Sequence, residues 1–279
     1  MPVDLHIHSD CSDGTLAPEE IVRAALEKGL YAISITDHDT VEGVRSAMAA
    51  AEGTGLHVLP GVEISVDFAD TEIHILGYFI DLDDAAILEA MERVRNGRVH
   101  RARAMVEKLQ ELGINITFDD VLAEAGEGGS VGRPHVARAL QQVGAVSSPR
   151  EAFDRYLSRG KPACVPRYKL PPDEAVRLIA AAGGMPVFAH PGLSHRDDMI
   201  DVLKAEGLLG LEAYHVDHDE KQTQRYRNMA KRRGLYVTGG SDSHGPLGSV
   251  AVEIGSVWVP DSCAEDLMQW ARGHDRVFV

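Results

Sequence analysis

Cysteine is scarce in this sequence. Among 279 residues there are only Cys11, Cys164 and Cys263, an odd number with no Cys-x-x-Cys spacing. This argues against a disulfide framework and against a structural zinc site built from thiolates. Cys11 lies near the first pair of histidines, but a small buried residue is the usual role of a lone cysteine, so we assign it no function.

Long hydrophobic runs are also missing. No apolar stretch approaches the about 20 residues that a membrane-spanning helix needs. The N-terminus has neither the basic nor the apolar region of a signal peptide. We therefore expect a cytoplasmic protein that makes no membrane contact, and the hydrophobic content of 44% is that of an ordinary globular chain.

Basic residues are outnumbered, with 28 Lys and Arg against 43 Asp and Glu and a net charge of −15. This balance argues against an extended basic surface for long nucleic acids. It does not exclude a small anionic substrate, because bound cations and a few arginines can reverse the potential inside a pocket. Residues 84–165 carry 12 basic and 11 acidic residues, so this segment is the expected source of anion contacts.

What the sequence does contain is a series of histidines and carboxylates at the ends of short apolar runs. The spacing of His6 and His8 places both side chains on one face of a strand, within reach of one metal ion. Similar positions hold seven further potential ligands, namely Asp13, His38, Glu63, His74, His190, Asp242 and His244. Singly, each has an ordinary explanation, such as a turn residue for Asp13. Together the nine predict a metal centre.

Strands and helices alternate along most of the chain. Apolar runs predict strands that begin near residues 3, 31, 57, 73, 186, 208 and 235. About seven parallel units with intervening helices indicate an α/β fold close to an incomplete β/α barrel, in which catalytic residues gather at the carboxyl ends of the strands. We also expect a helix over 196–206 and a further strand over 252–259.

The alternation stops in the middle of the chain. From residue 84 the pattern changes to one long amphipathic helix followed by shorter helices, and it resumes after residue 165. We therefore expect residues 1–83 and 166–279 to form the barrel. Residues 84–165 are expected to form a helical insertion subdomain that caps the substrate.

Five motifs carry a resemblance to a known family. They are His6-Ile7-His8-Ser9, Thr36-Asp37-His38-Asp39-Thr40, Gly61-Val62-Glu63, His190-Pro191-Gly192 and Ser241-Asp242-Ser243-His244. In these motifs and their order the sequence resembles the PHP family, named for polymerase and histidinol phosphatase. The resemblance covers about residues 3–80 and 165–250. It implies a distorted seven-stranded (β/α)7 barrel with three divalent ions at its mouth.

The resemblance also implies how the ligands are shared. His6, His8, Glu63 and Asp242 would hold a first ion, Glu63 would bridge to a second held by His74 and His190, and Asp13, His38 and His244 would hold a third. Imidazole and carboxylate ligands suit manganese, iron and zinc, and we expect manganese. Two ions a few ångströms apart lower the pKa of a shared water, so a metal-bridging hydroxide held by Glu63 is the expected nucleophile.

Some roles stay open at this point. The proton for the leaving group is expected from His195 or from a metal-bound water. Asp37 and Asp39 either orient His38 or cap the helix that follows Thr40.

Family members with a helical insertion that carries a Gly-Arg-Pro-His segment resemble nucleoside 3′,5′-bisphosphate phosphatases and 5′ to 3′ exoribonucleases acting on short oligonucleotides. Here the segment is Gly132-Arg133-Pro134-His135, at a predicted helix N-terminus that suits an anion. Substrate contacts are expected from Arg98, Arg101, Arg133, His135, Arg167 and Lys169. A solvated helix face is an equally good explanation for the arginines of the long helix.

The expected activity is that of a phosphoric monoester hydrolase. It would remove the 3′-phosphate of a nucleoside 3′,5′-bisphosphate and leave a nucleoside 5′-monophosphate. The alternatives are a 5′ to 3′ exoribonuclease on short oligonucleotides, a histidinol-phosphate-type phosphatase and a non-catalytic accessory module. A pocket for an amino alcohol would favour acidic residues over these arginines, and accessory modules can lose ligands, so an enzyme acting on nucleotides is favoured.

Overall fold

The computed structural model describes residues 2–68, 71–125, 131–165, 170–246 and 252–279, without the side chains of Glu72 and Arg98. It divides into two compact units. The first comprises Met1–Met91 and Lys169–Val279, and the second comprises Glu92–Tyr168. The first unit thus includes the opening turns of the long helix, which the sequence pattern had placed in the insertion.

The first unit is built on a seven-stranded sheet whose strands follow their order in the sequence. The strands are β1 Val3–Ile7, β2 Ala32–Ile35, β3 His57–Phe68, β4 Thr71–Tyr78, β5 Met185–Phe188, β6 Gly210–Tyr214 and β7 Tyr236–Gly239. Beyond β7 the chain bonds back to β1, since the amide of Asp242 donates to the carbonyl of His6 and the amide of His8 donates to that of Ser243, both at 2.9 Å. The sheet therefore forms a nearly closed barrel, and the predicted α/β barrel is confirmed.

One strand departs from the predicted parallel order. β4 runs antiparallel to both of its neighbours, β3 and β5, whereas the other pairs are parallel. Only residues 69–70 separate β3 from β4, and a parallel crossover needs a dozen residues or more. The expectation of seven parallel units was therefore wrong for β4. The antiparallel pairing sets His74 opposite Ser65, so His74 reaches the site from the middle of its strand.

The helices follow most of the predicted positions. In chain order they are α1 Pro18–Glu27, α2 Glu42–Ala51, α3 Ala85–Glu111, α4 Phe118–Ala125, α5 Arg133–Gln142, α6 Pro149–Ala152 with a π turn at Phe153–Leu157, α7 Pro172–Ala181, α8 Pro191–Ser194, α9 Met199–Ala205, α10 Glu220–Arg233 and α11 Asp261–Gly273. The helix expected over 196–206 is thus shorter, and residues 252–259 form no strand. Across the described ranges no helix combines the length and apolar character of a membrane span.

Local sequence explains where these helices begin and end. α1 starts at a proline, and the Glu20 carboxylate accepts a hydrogen bond from the amide of Ala17 at 3.0 Å. α10 starts with a reciprocal cap between Asp219 and Gln222 and ends at Gly234, whose φ of 63° favours glycine. These caps fix where α1 and α10 begin.

Each unit has its own hydrophobic core. In the barrel, β1, β2 and β3 pack Ile7, Ile33 and Val58 against the apolar faces of α1 and α2. In the helical unit, Met105 and Leu109 of α3 pack with buried residues of α4 and α5. The barrel core lies beneath the strand ends and holds them in place.

Gly240, directly after β7, passes close to β1 and offers a test of barrel closure. A β-carbon at this position would lie 2.4 Å from both the backbone nitrogen and the Cβ of His6. We predict that Gly240→Ala lowers the free energy of unfolding by about 1–3 kcal/mol, as overpacking of a tight core does. The fall in melting temperature would be measured by circular dichroism.

The matched control is Gly273→Ala at the end of α11, where an added β-carbon has no atom within 4 Å. This variant should keep the wild-type melting temperature or raise it slightly. Equal melting temperatures for the two variants would contradict a close approach of β7 to β1.

Candidate metal centre

Four donor atoms meet at the bottom of the site, from His6 at the end of β1, His8 directly after it, Glu63 within β3 and Asp242 in the loop after β7. His6 Nε2 lies 3.1 Å from His8 Nε2, 3.3 Å from Glu63 Oε2 and 3.4 Å from Asp242 Oδ1. His8 Nε2 lies 3.3 Å from the same Glu63 oxygen and 3.0 Å from the same Asp242 oxygen. Atoms bound to one ion at about 2.0–2.1 Å are spaced in this way, so these four residues fit a first ion.

The second oxygen of Glu63 faces a second set of donors. Glu63 Oε1 lies 2.8 Å from His74 Nδ1 and 3.0 Å from His190 Nε2, and these two nitrogens are 3.3 Å apart. The two oxygens of one carboxylate therefore point to different groups of imidazoles. This arrangement suits a carboxylate that bridges two ions.

A third set lies between the loops after β1 and β7. Asp13 Oδ1 is 3.3 Å from His244 Nε2 and 3.6 Å from His8 Nδ1, while Asp13 Oδ2 is 3.9 Å from His38 Nε2. The other ring nitrogen of His38 lies 3.2 Å from Glu63 Oε2. His38 thus joins the third set to the first.

All nine predicted ligands come together in one cluster. Ligand atoms that lie within 4.8 Å of one another form four overlapping groups, namely His8, Asp13, His38 and His244; His6, Glu63 and His190; His6, His8 and Asp242; and His38, Glu63 and His74. The groups overlap more than the family resemblance implied. His8 lies near the expected ligands of both the first and the third ion, and His38 lies near expected ligands of all three.

Two buried atoms of the cluster indicate that it is built for cations. Asp242 Oδ1 and His8 Nδ1 are buried, and neither has a hydrogen-bond partner within the described residues. Asp242 Oδ1 is nevertheless 3.0 Å from the other His8 nitrogen. Electron pairs crowded together without donors are expected where a metal ion is to be bound, so the donor set fits the metals implied by the family.

Burial divides the cluster into an inner and an outer part. The side chains of His6, His8 and Glu63 are at most 1% exposed. The rim is partly open, with exposures of 17% for His74, 18% for His244, 20% for Asp242 and 31% for Asp13. A ligand from solvent therefore reaches the cluster from the rim.

The charges of the cluster are strongly coupled. Burial alone raises the pKa of the Glu63 carboxyl, but His74, His38 and His6 outweigh burial and hold this pKa well below its usual range. Asp242 behaves in the same way, with His6 as its largest stabilising charge. Both carboxyl groups are therefore ionised at neutral pH and available to cations.

Two acidic residues with open roles act on the backbone of neighbouring segments. Asp37 accepts hydrogen bonds from the amide of Ser9 at 2.7 Å and from the hydroxyl of Ser12 at 2.6 Å, which fixes the loop before Asp13. Asp39 accepts a bond from the amide of Ser65 at 2.9 Å. Through these hydrogen bonds both carboxylates hold strand-end loops in place.

Sequence reasoning missed three buried residues next to the cluster, Glu212, His215 and His218. Glu212 Oε1 lies 3.0 Å from His6 Nδ1, and His215 Nε2 lies 3.3 Å from Asp242 Oδ2. A carboxylate inside the apolar run of β6, followed by two histidines, was the available signal. This signal was overlooked because Glu212 lies two residues before the end of β6.

The predicted substrate contacts lie in or next to the helical unit. Arg133 begins α5, with its guanidinium 6.0 Å from the centre of the Phe153 ring. His135 Nδ1 accepts a hydrogen bond from the amide of Gly132 at 2.9 Å and so caps the same helix. Arg101 donates to the carbonyl of Val165 at 2.8 Å. Arg167 and Lys169 lie outside the described residues, as does the side chain of Arg98.

His195, the predicted proton donor, lies after α8. It adopts the left-handed conformation, with φ of 52°, and its side chain is exposed. Its backbone amide donates to the carbonyl of Pro191 at 3.2 Å. Its role as an acid stays a prediction.

The bridging position of Glu63 gives a test of the whole centre. We predict that Glu63→Gln loses bound metal and phosphoesterase activity, because a glutamine offers one neutral oxygen where the site needs two anionic ones. Metal content would be measured by atomic emission after loading with manganese and dialysis. The control Glu253→Gln removes an exposed carboxylate paired with Lys28 and should keep wild-type metal content. Wild-type metal content in Glu63→Gln would refute the bridging role.

Comparison with known proteins agrees with this geometry. A family model described as PHP domain matches residues 4–114. A 3′,5′-nucleoside bisphosphate phosphatase of Chromobacterium violaceum is 37% identical over 88% of this chain and 87% of its own length. A 5′-3′ exoribonuclease of Haemophilus influenzae is 36% identical over 88% of this chain and 90% of its own.

The fold has close counterparts among solved structures. The structure of a Bifidobacterium adolescentis protein classed as a metal-dependent phosphoesterase has a TM-score of 0.83 at 33% identity, and the match covers 96% of this chain and 97% of that one. Sequence, fold and ligand cluster agree, and this chain belongs to the PHP family of metal-dependent phosphoesterases.

Proposed function

We propose that this chain removes the 3′-phosphate of nucleoside 3′,5′-bisphosphates and releases a nucleoside 5′-monophosphate and phosphate. The observation that carries the proposal is the cluster of nine donors with a buried base and a partly exposed rim. The bisphosphate phosphatase of C. violaceum supports the choice of substrate, because its similarity extends over most of both chains.

We propose that the cluster holds three divalent ions and that the metal is manganese. His6, His8, Glu63 and Asp242 would hold one ion, Glu63, His74 and His190 a second, and Asp13, His38 and His244 a third. Bound divalent ions supply Lewis acidity toward phosphoryl oxygens and hydroxide at neutral pH.

Burial of the cluster residues determines where a phosphate group can reach them. The buried base, with His6, His8 and Glu63, excludes the substrate. The partly exposed Asp13 and His244 stand at the rim, where a phosphoryl group enters. Asp13 and Asp242 at the rim are ionised, and bound cations would offset their repulsion of a phosphate.

A second candidate is a 5′ to 3′ exoribonuclease on short oligonucleotides. The H. influenzae relative favours it, at nearly the same identity and coverage as the phosphatase. Both reactions break the bond between phosphorus and the 3′-oxygen of a nucleotide that carries a 5′-phosphate. One metal centre can therefore serve either substrate.

A direct comparison of substrates tests the proposal. The manganese-loaded protein would be assayed with adenosine 3′,5′-bisphosphate, 3′-AMP, 5′-AMP, histidinol phosphate and a short 5′-phosphorylated RNA. We expect the highest kcat/KM for the bisphosphate, with 5′-AMP as product, and no turnover by Glu63→Gln. Preference for the RNA with release of 5′-mononucleotides would replace the phosphatase by the exoribonuclease. Absence of hydrolysis of every substrate would overturn both.

Arg133 tests whether the helical unit contributes to substrate selection. A hydrogen bond from a charged group contributes about 1.5–3 kcal/mol, so loss of one phosphate contact reduces kcat/KM by about 10-fold or more. We predict that Arg133→Ala lowers kcat/KM for the bisphosphate by this factor and changes kcat/KM for 3′-AMP little. The control Arg155→Ala removes an exposed arginine of the same unit, paired with Glu151, and should leave both rates unchanged. Unchanged turnover of the bisphosphate by Arg133→Ala would exclude a selecting role for this residue.

A further inference from the structure

The segment after the middle of β6 carries three buried ionisable side chains that are not among the nine ligands. Glu212, His215 and His218 are 0%, 3% and 8% exposed. Residues this deeply buried do not meet a substrate that enters at the rim. Their contacts are therefore the guide to what they do.

Glu212 uses both carboxylate oxygens on residues of the cluster. Oε1 lies 3.0 Å from His6 Nδ1, and Oε2 accepts a hydrogen bond from the backbone amide of His190 at 2.8 Å. A carboxylate at Nδ1 keeps the ring proton of His6 on that nitrogen, which leaves the electron pair of Nε2 facing His8, Glu63 and Asp242. One side chain thus sets the tautomer of one ligand.

The bond to His190 has a second consequence. His190 has a φ of 25°, a conformation that residues with a β-carbon rarely adopt. Such a conformation persists only where surrounding contacts enforce it. The hydrogen bond from its amide to Glu212 is one such contact, and it directs the His190 ring toward Glu63.

His215 acts on a third ligand. Its Nδ1 accepts a hydrogen bond from the amide of Asp217 at 3.1 Å, so the ring proton is on Nε2. This nitrogen faces Asp242 Oδ2 at 3.3 Å. The remaining oxygen, Asp242 Oδ1, is then directed to the Nε2 atoms of His6 and His8. Asp242, with a φ of 54°, is a second ligand in the left-handed region.

His218 connects the same segment to the loop that follows His190. Its Nδ1 donates to the carbonyl of Ala213 at 2.9 Å, and its Nε2 accepts from the amide of Gly192 at 3.1 Å. A β-carbon on Gly192 would lie 2.6 Å from His218 Nε2, so only glycine fits at this contact. The backbone at His190 and Gly192 is therefore held at two points. Glu212 in β6 holds the first, and His218, four residues after β6, holds the second.

We propose that Glu212 and His215 are positioning residues for metal binding. From one strand end they fix the tautomer of His6, the backbone of His190 and the orientation of the Asp242 carboxylate, three ligands from three other strands. They hold these groups in the arrangement that metal ions require before any ion is bound. The inference rests on metal binding at the centre and is independent of which phosphoester is the substrate.

Glu212→Gln tests the proposal sharply because it changes hydrogen bonding and hardly changes shape. When the glutamine oxygen accepts from the His190 amide, its NH2 group faces His6 Nδ1. The His6 proton is then driven to Nε2, the nitrogen that must bind metal. We expect manganese affinity to fall by about 10- to 100-fold, the range found for residues that support metal ligands. Affinity would be measured by manganese electron paramagnetic resonance, without substrate.

Two further measurements separate positioning from a merely structural role. Nitrogen-15 NMR of the protein loaded with diamagnetic zinc should show the His6 proton on Nδ1 in the wild type, and this signature should be lost or weakened in Glu212→Gln. The rise in melting temperature on adding manganese should shrink in the variant, while the metal-free melting temperature stays close to that of the wild type. A lower metal-free melting temperature with an undiminished manganese shift would instead mean that Glu212 only supports the fold.

His215 provides an independent variant in case Glu212→Gln is poorly folded. His215→Phe keeps a buried ring and removes the donor to Asp242, so manganese affinity should fall. His215→Gln can place an amide donor near the position of Nε2 and should recover part of that affinity. The surface control Glu253→Gln should match the wild type throughout. Manganese affinities within about twofold of the wild type in both Glu212→Gln and His215→Phe would overturn the proposal, whatever the substrate assays show.

Discussion

The structure of the barrel mouth depends on one buried carboxylate. Glu63 is 1% exposed and has imidazole nitrogens of His6, His8, His38, His74 and His190 within 2.8–3.3 Å. An ionised carboxylate removed from water is strongly unfavourable unless positive charge or hydrogen-bond donors surround it. Protonated imidazoles or metal ions supply that compensation here. Compensation of this buried charge requires side chains from several strands to meet around Glu63. Closure of the barrel brings those strands together.

The strand order explains how so many ligands reach one carboxylate. His6 lies next to the carboxyl end of β1, His38 lies just beyond β2, and Glu63 lies within β3, three residues after its last pair with β2. β4 runs the other way, and His74 lies within it, opposite Ser65. The long β3–β4 hairpin therefore presents a ligand from a reversed strand to the same mouth. The bonds that Asp37 and Asp39 make to Ser9, Ser12 and Ser65 hold the neighbouring loops at fixed positions.

Much of this could be read from the sequence, for a physical reason. A histidine or carboxylate at the end of an apolar strand is conspicuous, because strand interiors in α/β barrels are buried on both faces. The nine candidate ligands lie at or near the ends of the apolar runs, with His74 inside its run and Asp13 in the turn after the first one. The direction of β4 was misjudged because the sequence pattern does not show that β3 continues to Phe68 and leaves a connection of only two residues. Glu212 and His215 were missed because their role depends on the partner they face, and no spacing within residues 208–218 indicates that the partners are His6 and Asp242.

Reaction class and substrate choice therefore have different structural origins. The inner residues His6, His8 and Glu63 have almost no exposed surface, so they cannot distinguish one nucleotide from another. Their position suits metal binding and leaves them out of reach of most of a substrate. Substrate choice depends on groups at or beyond the rim, where Asp13 and His244 are partly exposed. The relatives described as a bisphosphate phosphatase and as an exoribonuclease are consistent with this division, because proteins that share one fold over most of their length differ in the substrate they are named for.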